Sequence, residues 1–229
     1  MWNGKMKALT FSYDDGTDSD IRFLEIINKY GMKATFNLNG GMLRERRYCT
    51  KPWKVKEATV NRMALEDQRE MYVGHEVAVH SYTHPHLELL SPEMLSYEIC
   101  ADIQKLTEEF GYRPVGMAYP FGTYSDAVVD FIREQGIKYA RTVGKIHSFD
   151  MPVDPLRWDA TCHHNEPELM AIAKAFVEAK PDKPMLFSVW GHTCEFDANN
   201  NWDVLERFCE YIAGHDDIFY GTNAECLLK

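Results

Sequence analysis

Residues able to bind metals and move protons occur in short clusters that follow stretches rich in β-branched and aromatic residues. Asp14-Asp15-Gly16 follows residues 7–13, and two histidines, His80 and His84, follow residues 76–79. His192 comes directly after a third such stretch, residues 185–190. In parallel α/β barrels the carboxyl ends of the strands share one face, so we expect these side chains to converge. Two imidazoles and one carboxylate there would make a metal site with room for water.

Each motif also has a plain structural interpretation when it is taken alone. An Asp-Asp-Gly sequence is typical of a helix-capping turn, and two histidines four residues apart are common in cores and on surfaces. Adjacent carboxylates at a strand end repel each other unless a cation lies beside them. The combination of the two motifs therefore favours a metal site more than either motif does.

The elements that must position these residues alternate along the chain. Period-2 and buried apolar runs predict strands, and apolar residues three and four apart predict helices. The predicted strands are residues 7–13, 34–38, 76–80, 115–119, 139–143, 157–162, 185–190 and 218–222. The predicted helices are residues 20–30, 57–71, 92–110, 125–134, 167–179 and 202–212. This alternation predicts an α/β fold with a parallel sheet, closed or nearly closed into a barrel.

Residues 40–58 fit neither period and are predicted to form a long basic loop. Its basic residues, between Arg44 and Lys56, are candidates for contact with substrate or with a neighbouring subunit.

Composition excludes several functional classes. The 229 residues carry a net charge of −10, which disfavours binding to nucleic-acid phosphates. The longest apolar runs are far shorter than the ~20 residues needed to span a bilayer. The first residues have no basic and apolar leader pattern, so we expect a cytoplasmic protein, with an exported form that has lost its leader as the alternative. The six cysteines include no C-x-x-C pair and are predicted to be buried free thiols.

Taken together, these motifs resemble the polysaccharide deacetylases with NodB homology, which form carbohydrate esterase family 4. The family motif T-F-D-D-G matches residues 12–16, and H-S/T-x-x-H is met by His80, Ser81 and His84. The motif R-x-P-Y is met in part by Pro120 and Phe121. A Leu-containing strand that ends in His matches residues 186–192, so the resemblance extends over residues 10–192.

The resemblance implies a single NodB-type domain over residues 1–229, folded as a distorted parallel (β/α) barrel of about seven strands. It implies that Asp15, His80 and His84 bind a divalent metal, usually Zn²⁺. It also implies that Asp14 is the general base and that His192 is the general acid.

Further roles concern substrate contacts. The resemblance implies that the backbone N–H of Phe121 stabilises the oxyanion. Aromatic residues near strand ends could stack on sugar faces, and we single out Tyr119, Trp158 and Trp190.

One position departs from the family pattern. The arginine that opens R-x-P-Y, and that orients the catalytic aspartate, is replaced by Ala118. Arg141 or Arg157 could substitute from a neighbouring strand, or Asp14 could depend on the metal alone. The carboxylate that supports His192 is equally open, with Asp154, Asp159 and Glu195 as candidates. The family's Asp-Trp motif is matched only loosely, by Asp154 and Trp158.

Two other groups of polar residues have competing interpretations. His163 and His164, with Glu166, could form a second metal site, or they could lie in a loop that caps the next helix. The acidic positions of the predicted helix 92–110 are interpreted as a solvated face; they are Glu93, Glu98, Asp102, Glu108 and Glu109.

The sequence thus predicts a metal-dependent hydrolase that removes acetyl groups from an N- or O-acetylated carbohydrate. The substrate would be an oligosaccharide containing N-acetylglucosamine, or acetylated xylan. The expected partner is this carbohydrate, with no nucleic acid and no membrane, and the oligomeric state is open. One alternative is a cytoplasmic amidase acting on a non-sugar amide or a cyclic ureide. The other is a carbohydrate-binding module with a degenerate site.

Overall fold

The structure, a computed structural model, describes residues 2–49, 54–56 and 58–228. Within these ranges it contains eleven strands: β1 (Lys7–Asp14), β2 (Ala34–Leu38), β3 (Lys54–Val55), β4 (Ala58–Thr59), β5 (Glu76–Val79), β6 (Gly116–Ala118), β7 (Tyr139–Lys145), β8 (Trp158–Ala160), β9 (Cys162–His163), β10 (Met185–Gly191) and β11 (Ile218–Tyr220). The same ranges contain eight α-helices: α1 (Asp20–Lys29), α2 (Leu65–Met71), α3 (Pro92–Phe110), α4 (Asp126–Glu134), α5 (Leu169–Glu178), α6 (Cys194–Asn199), α7 (Trp202–Ile212) and α8 (Asn223–Leu227).

The main sheet is parallel, with the strand order β8-β7-β6-β5-β2-β1-β10-β9, and β11 pairs with β1. Its two ends, β8 and β9, are separated in the chain by Thr161 alone. Since β8 pairs with β7 and β9 pairs with β10, the single segment 158–163 joins both neighbours. The sheet is thereby closed into a ring of seven strand positions. The predicted α/β architecture, a distorted parallel barrel of about seven strands, is confirmed.

Local sequence explains the elements that carry the site. All eight residues of β1 are buried, as expected for a strand covered on both faces in a parallel sheet. Helix α3 begins sharply because the Ser91 side chain accepts a hydrogen bond from the Met94 N–H and Pro92 occupies the first helical position. It ends at Gly111, which takes the left-handed conformation (φ 76°) that glycine adopts readily.

Two predicted elements differ from the structure. The predicted helix 57–71 is shortened to α2, because residues 54–59 include the small antiparallel hairpin of β3 and β4. The predicted strand 157–162 is broken at Thr161, whose side chain donates to backbone carbonyls of Ser148 and Leu186. This break is what lets one segment pair on both sides.

Part of the predicted basic loop, residues 50–53 and 57, lies outside the described residues. In the described part, Arg47 forms an ion pair with Asp18, and Arg44 donates to the carbonyls of Gly41 and Leu43. These basic side chains therefore contact the protein itself.

The predicted solvated face of α3 is wrong at two positions. Glu98 is 3% exposed and Asp102 is fully buried. Both carboxylates accept hydrogen bonds from the chain segments that follow β2 and β5, as described below. The prediction that the cysteines are buried is confirmed at Cys162, Cys194, Cys209 and Cys226, but it is wrong at Cys49, which is exposed, and at Cys100, which is half-buried. No helix within the described ranges is both long enough and apolar enough to cross a bilayer.

Candidate active site

A cleft of about 530 Å³ opens at the carboxyl ends of the parallel strands. This is the face on which barrel enzymes carry their reactive groups. The residues that line it come from most of the ring, and they are Asp14, Asp15, Met42, Val55, Arg62, His80, Thr83, His84, Tyr119, Phe121, Val143, Trp190, His192, Cys194 and Glu195. The polar clusters that the sequence placed after β1, β5 and β10 therefore meet in one cavity.

Three of these residues offer metal ligands at close range. One ligand atom each from Asp15, His80 and His84 lies within 4.8 Å of the other two, and the two imidazole ring centres are 4.7 Å apart. The His80 Nδ1 lies 2.7 Å from the carbonyl oxygen of Ala118. A carbonyl only accepts hydrogen bonds, so Nδ1 carries the proton and Nε2 keeps its lone pair. A metal-binding histidine typically donates its other ring N–H to a carbonyl in this way.

The electrostatics of this trio also suit a cation. Burial and the neighbouring His80 lower the pKa of His84 to about 4, so its imidazole is neutral at pH 7. Burial would raise the pKa of Asp15, but the Arg62 guanidinium and the nearby histidines outweigh it and lower that pKa. His84 and Asp15 therefore present a neutral imidazole and a carboxylate, donors that Zn²⁺ and similar divalent ions take.

Strained backbone surrounds the same three residues. Asp15, Ser81, His84 and Phe121 all have positive φ angles, of 80°, 63°, 63° and 57°. A non-glycine residue held in this region costs about 1–3 kcal/mol, and such residues cluster at functional sites. Four of them around one cleft indicate that side-chain placement there outweighs local backbone preference.

The buried carboxylates of α3 anchor the two loops that hold this strain. Asp102 accepts hydrogen bonds from the backbone N–H groups of His80, at 3.0 Å, and Gly40, at 2.5 Å. Glu98 accepts from the N–H and the hydroxyl of Thr83, at 2.8 and 2.6 Å. Helix α3 thus fixes the segment 80–84 by its backbone and leaves the imidazoles facing the cleft.

Asp14 is held by an arginine from β7. The Arg141 Nη2 lies 2.6 Å from Oδ1 and 2.5 Å from Oδ2 of Asp14, and Asn37 donates to Oδ1 at 2.8 Å. Both partners of the ion pair are almost fully buried. Burial would raise the pKa of Asp14, but Arg141 and then His80 oppose it and lower that pKa to about 2.

Arg141 stands in register with Ala118 on the adjacent strand. The guanidinium that the family pattern would carry on β6 therefore comes from β7, one strand along the ring. The other candidate, Arg157, forms ion pairs with Asp126 and Asp154 instead.

His192 lies between two carboxylates. Its Nε2 is 3.8 Å from Asp15 Oδ2, and its Nδ1 is 3.6 Å from Glu195 Oε1. Burial would lower the pKa of His192, but Glu195 and the two aspartates raise it to about 9. Of the three candidate carboxylates, Glu195 is the one beside His192. Asp154 pairs with Arg157, and Asp159 accepts from the Thr142 hydroxyl.

The aromatic residues singled out from the sequence separate into two groups. Tyr119 and Trp190 line the cleft, as does Phe121, whose side chain is 50% exposed and stacks on His86. Trp158 does not line the cleft. It is buried in a separate cluster with Trp2 and Tyr139, so the expectation that it contacts a sugar is corrected. Its indole packs against the Tyr139 ring of β7, with ring centres 6.0 Å apart.

Two features of the site were missed by sequence reasoning. Arg62, from the segment before α2, contacts the backbone carbonyl and the carboxylate of Asp15, and no sequence motif marks it. The carboxylate beside His163 and His164 is Glu195, which lies within 4.8 Å of both as a potential ligand. Glu166, predicted for that place, pairs with Lys145 and His147.

Comparisons with known proteins identify the family of this chain. A sequence profile of the family described as "Polysaccharide deacetylase" matches residues 3–140. The putative polysaccharide deacetylase YxkH of Bacillus subtilis is 27% identical over 140 residues, which are 59% of this chain and 44% of that protein. The peptidoglycan-N-acetylglucosamine deacetylase PgdA of Listeria monocytogenes is 27% identical over 128 residues, 55% of this chain and 24% of that protein. The match thus spans less than half of the length of these relatives.

Solved structures share the fold at low sequence identity. Puue allantoinase has a TM-score of 0.71 and 14% identity, and the match covers 99% of this chain and 91% of that one. A family 4 acetyl xylan esterase from Clostridium thermocellum, in complex with cobalt, has a TM-score of 0.62 and 17% identity, with 97% and 91% covered. A family 4 pseudoenzyme from Bacillus anthracis has a TM-score of 0.56 and 16% identity, with 98% and 66% covered.

Proposed function

This chain belongs to the polysaccharide deacetylase family, and we propose that it is a metal-dependent hydrolase that removes acetyl groups from an N- or O-acetylated carbohydrate. We further propose that residues 1–229 act as one catalytic unit. The family match ends at residue 140, whereas the ring of strands and the cleft include residues up to 195. An N-acetylglucosamine oligosaccharide and acetylated xylan are the two substrate classes to compare first.

The cation would be held by Asp15, His80 and His84, and Zn²⁺ is our first choice because it takes nitrogen and oxygen ligands. When bound there, a divalent cation would polarise the acetyl carbonyl and acidify the attacking water. The three side chains need little rearrangement to serve as ligands, since their backbone and the His80 tautomer are already fixed.

Asp14 is proposed to accept the proton of the attacking water. Its Oδ1 receives hydrogen bonds from Arg141 and Asn37, while Oδ2 receives one from Arg141. Since each carboxylate oxygen offers two lone pairs, Oδ2 keeps one for that proton. Arg141 thus orients the base, and a low carboxylate pKa keeps it ionised until the proton arrives.

His192 is proposed to deliver a proton to the departing nitrogen or oxygen. Its Nε2 side faces Asp15 and the cleft, and its Nδ1 side faces Glu195. The Phe121 backbone N–H is proposed to donate to the oxyanion. A preorganised donor of this kind contributes roughly 3–4 kcal/mol to stabilising a transition state.

The single observation that carries this proposal is the convergence of Asp14, Asp15, His80, His84 and His192 in one cleft, from three separate strand ends. A degenerate binding module would have no need for an oriented base and an oriented acid in the same cleft as a ligand trio. The full set therefore favours catalysis over simple binding.

The test is acetate release from chitooligosaccharides and from acetylated xylo-oligosaccharides, using protein loaded with ZnCl₂. We expect release from one class, and Asp14→Asn should lower kcat about 10²–10⁴-fold while metal content is unchanged. Arg157→Gln serves as a matched control, because this arginine binds carboxylates outside the cleft. Hydrolysis of a cyclic ureide or a simple amide, with no acetate from either saccharide, would refute the carbohydrate assignment.

A further inference from the structure

A second group of chemically able side chains borders the cleft, and only one of its members, Glu195, appears in the reaction proposed above, as the carboxylate that faces His192. This group, the Glu195 cluster, consists of His163, His164 and Glu195. His163 Nε2 and His164 Nε2 lie 3.0 and 3.2 Å from the same oxygen, Glu195 Oε2.

These distances alone would suit a second metal ion. Tetrahedral Zn²⁺ with ordinary bond lengths places its ligand atoms about 3.3 Å apart. The spacing is therefore compatible both with a metal site and with a set of hydrogen bonds. The position of the protons on the two imidazoles decides between them.

The backbone settles the proton position on His163. The N–H of Asn165 donates to His163 Nδ1 at 3.1 Å, so Nδ1 holds a lone pair. In a neutral imidazole the other nitrogen then carries the proton. His163 Nε2 thus carries the proton and lies 3.0 Å from Glu195 Oε2, and it has no lone pair to offer a cation.

His164 is confined so that its Nε2 lies 3.2 Å from the same Glu195 oxygen, although neither of its ring nitrogens has a partner in hydrogen-bond geometry among the described residues. The ring is 2% exposed and stacks between Tyr13 and Phe196, with ring centres 5.6 and 4.1 Å away. The residue before His192 is glycine, and a Cβ there would lie 2.1 Å from His164 Nδ1. The absence of a side chain at Gly191 therefore makes room for this ring directly behind His192.

We propose that His163 and His164 flank one oxygen of Glu195 and clamp it, so that the other oxygen faces Nδ1 of His192, 3.6 Å away, and sets the direction of Nε2. This role rests on the proposed function, in which His192 is the acid. His163, His164 and Glu195 are positioning residues, and the cluster is not a second metal site.

The first part of the test is kinetic. His163→Phe and Glu195→Gln should each lower kcat for acetate release about 10- to 100-fold, the usual range for second-shell groups, with KM nearly unchanged. His163→Gln, which keeps an N–H donor, should recover much of the loss. His147→Phe is the matched control. His147, which is exposed to solvent, makes the same kind of contact with a carboxylate, since its Nε2 lies 3.1 Å from Glu166 Oε2. An unchanged kcat in His163→Phe would refute the clamp.

The second part needs no activity. In ¹⁵N spectra of the imidazoles, wild-type His163 should show a protonated Nε2 and an unprotonated Nδ1, before and after ZnCl₂ is added to metal-stripped protein. Binding of a second zinc ion that disappears in His163→Phe would overturn the proposal in favour of a metal site. If the wild type releases no acetate, the proposed function fails, while the ¹⁵N spectra still decide whether the clamp exists.

Discussion

Two clusters with the same kinds of ligand atoms lie on either side of His192. Asp15, His80 and His84 form the first, and His163, His164 and Glu195 form the second. In the first, His80 Nδ1 donates to a backbone carbonyl, whereas in the second, His163 Nδ1 accepts from a backbone N–H. One backbone hydrogen bond therefore assigns opposite roles to two similar groups. A lone pair faces the cavity in one case, and a proton faces a carboxylate in the other.

The largest expected difference between the two clusters follows from removing one histidine from each. His80→Ala should lose metal binding and reduce kcat more than about 10³-fold, because a ligand set of three cannot spare one. His163→Ala should retain about one zinc ion per chain. The measurement is zinc content by elemental analysis after dialysis. Equal zinc loss in both variants would show that the two clusters bind metal alike.

A second prediction concerns the guanidinium that pairs with Asp14, the proposed base beside the first cluster. Arg141→Gln should lower the free energy of unfolding by about 3–5 kcal/mol, because it leaves the buried Asp14 carboxylate without its partner. Arg157→Gln, at an exposed ion pair, should cost about 0–1 kcal/mol. Urea unfolding at pH 7 measures both. A loss below about 1 kcal/mol in Arg141→Gln would mean that Asp14 does not depend on this guanidinium.

A third prediction concerns the pH dependence of stability, through a buried carboxyl group outside both clusters. Asp20 lies fully buried behind the His192 loop and accepts hydrogen bonds from Thr193 and Tyr72. Burial raises the pKa of Asp20 to about 7, against 3.8 when unfolded. The folded protein then binds more protons than the unfolded chain between pH 4 and 7, so stability falls as pH rises through this window.

Asp20→Asn should remove that pH-dependent loss, which amounts to at most about 4 kcal/mol at 1.36 kcal/mol per pKa unit. The free energy of unfolding of the variant should therefore rise relative to that of the wild type above pH 7, but not below pH 4. Unfolding free energies across this range measure it. Parallel curves for the two proteins would show that Asp20 does not titrate in the window.

The smallest expected effect tests whether the His164 ring of the second cluster depends on the absence of a side chain at Gly191. Gly191→Ala should displace the His164 ring and cost about 1–3 kcal/mol, as overpacking in a core usually does. Two other glycines differ too much from Gly191 to serve as matched controls. A Cβ at Gly144 would clash with Asp159, and Gly136 has open space for a side chain but a positive φ of 85°. Stability by thermal unfolding and kcat should fall together in Gly191→Ala. An unchanged kcat would show that the position of the His164 ring does not affect the orientation of His192.

Several misreadings of the sequence share one physical cause. Glu98 and Asp102 fit a solvated helical face by composition, yet they are buried and bind the loops after β2 and β5. Trp158 has the residue type of a sugar-stacking side chain but packs inside with Trp2. In each case the decisive partner is distant in sequence, so no local pattern could reveal it.

The alternation of strands and helices could be predicted from local sequence, because hydrophobic period and capping residues are local properties. The residue types that follow β1, β5 and β10 likewise indicated the family and the chemistry to expect on one face of the barrel. The folded chain was needed to show that Arg141 supplies the guanidinium for Asp14, that Glu195 and not Glu166 lies beside the paired histidines, and which imidazole nitrogens carry protons. These outcomes depend on which strand lies beside which, and on single backbone hydrogen bonds between segments far apart in the chain.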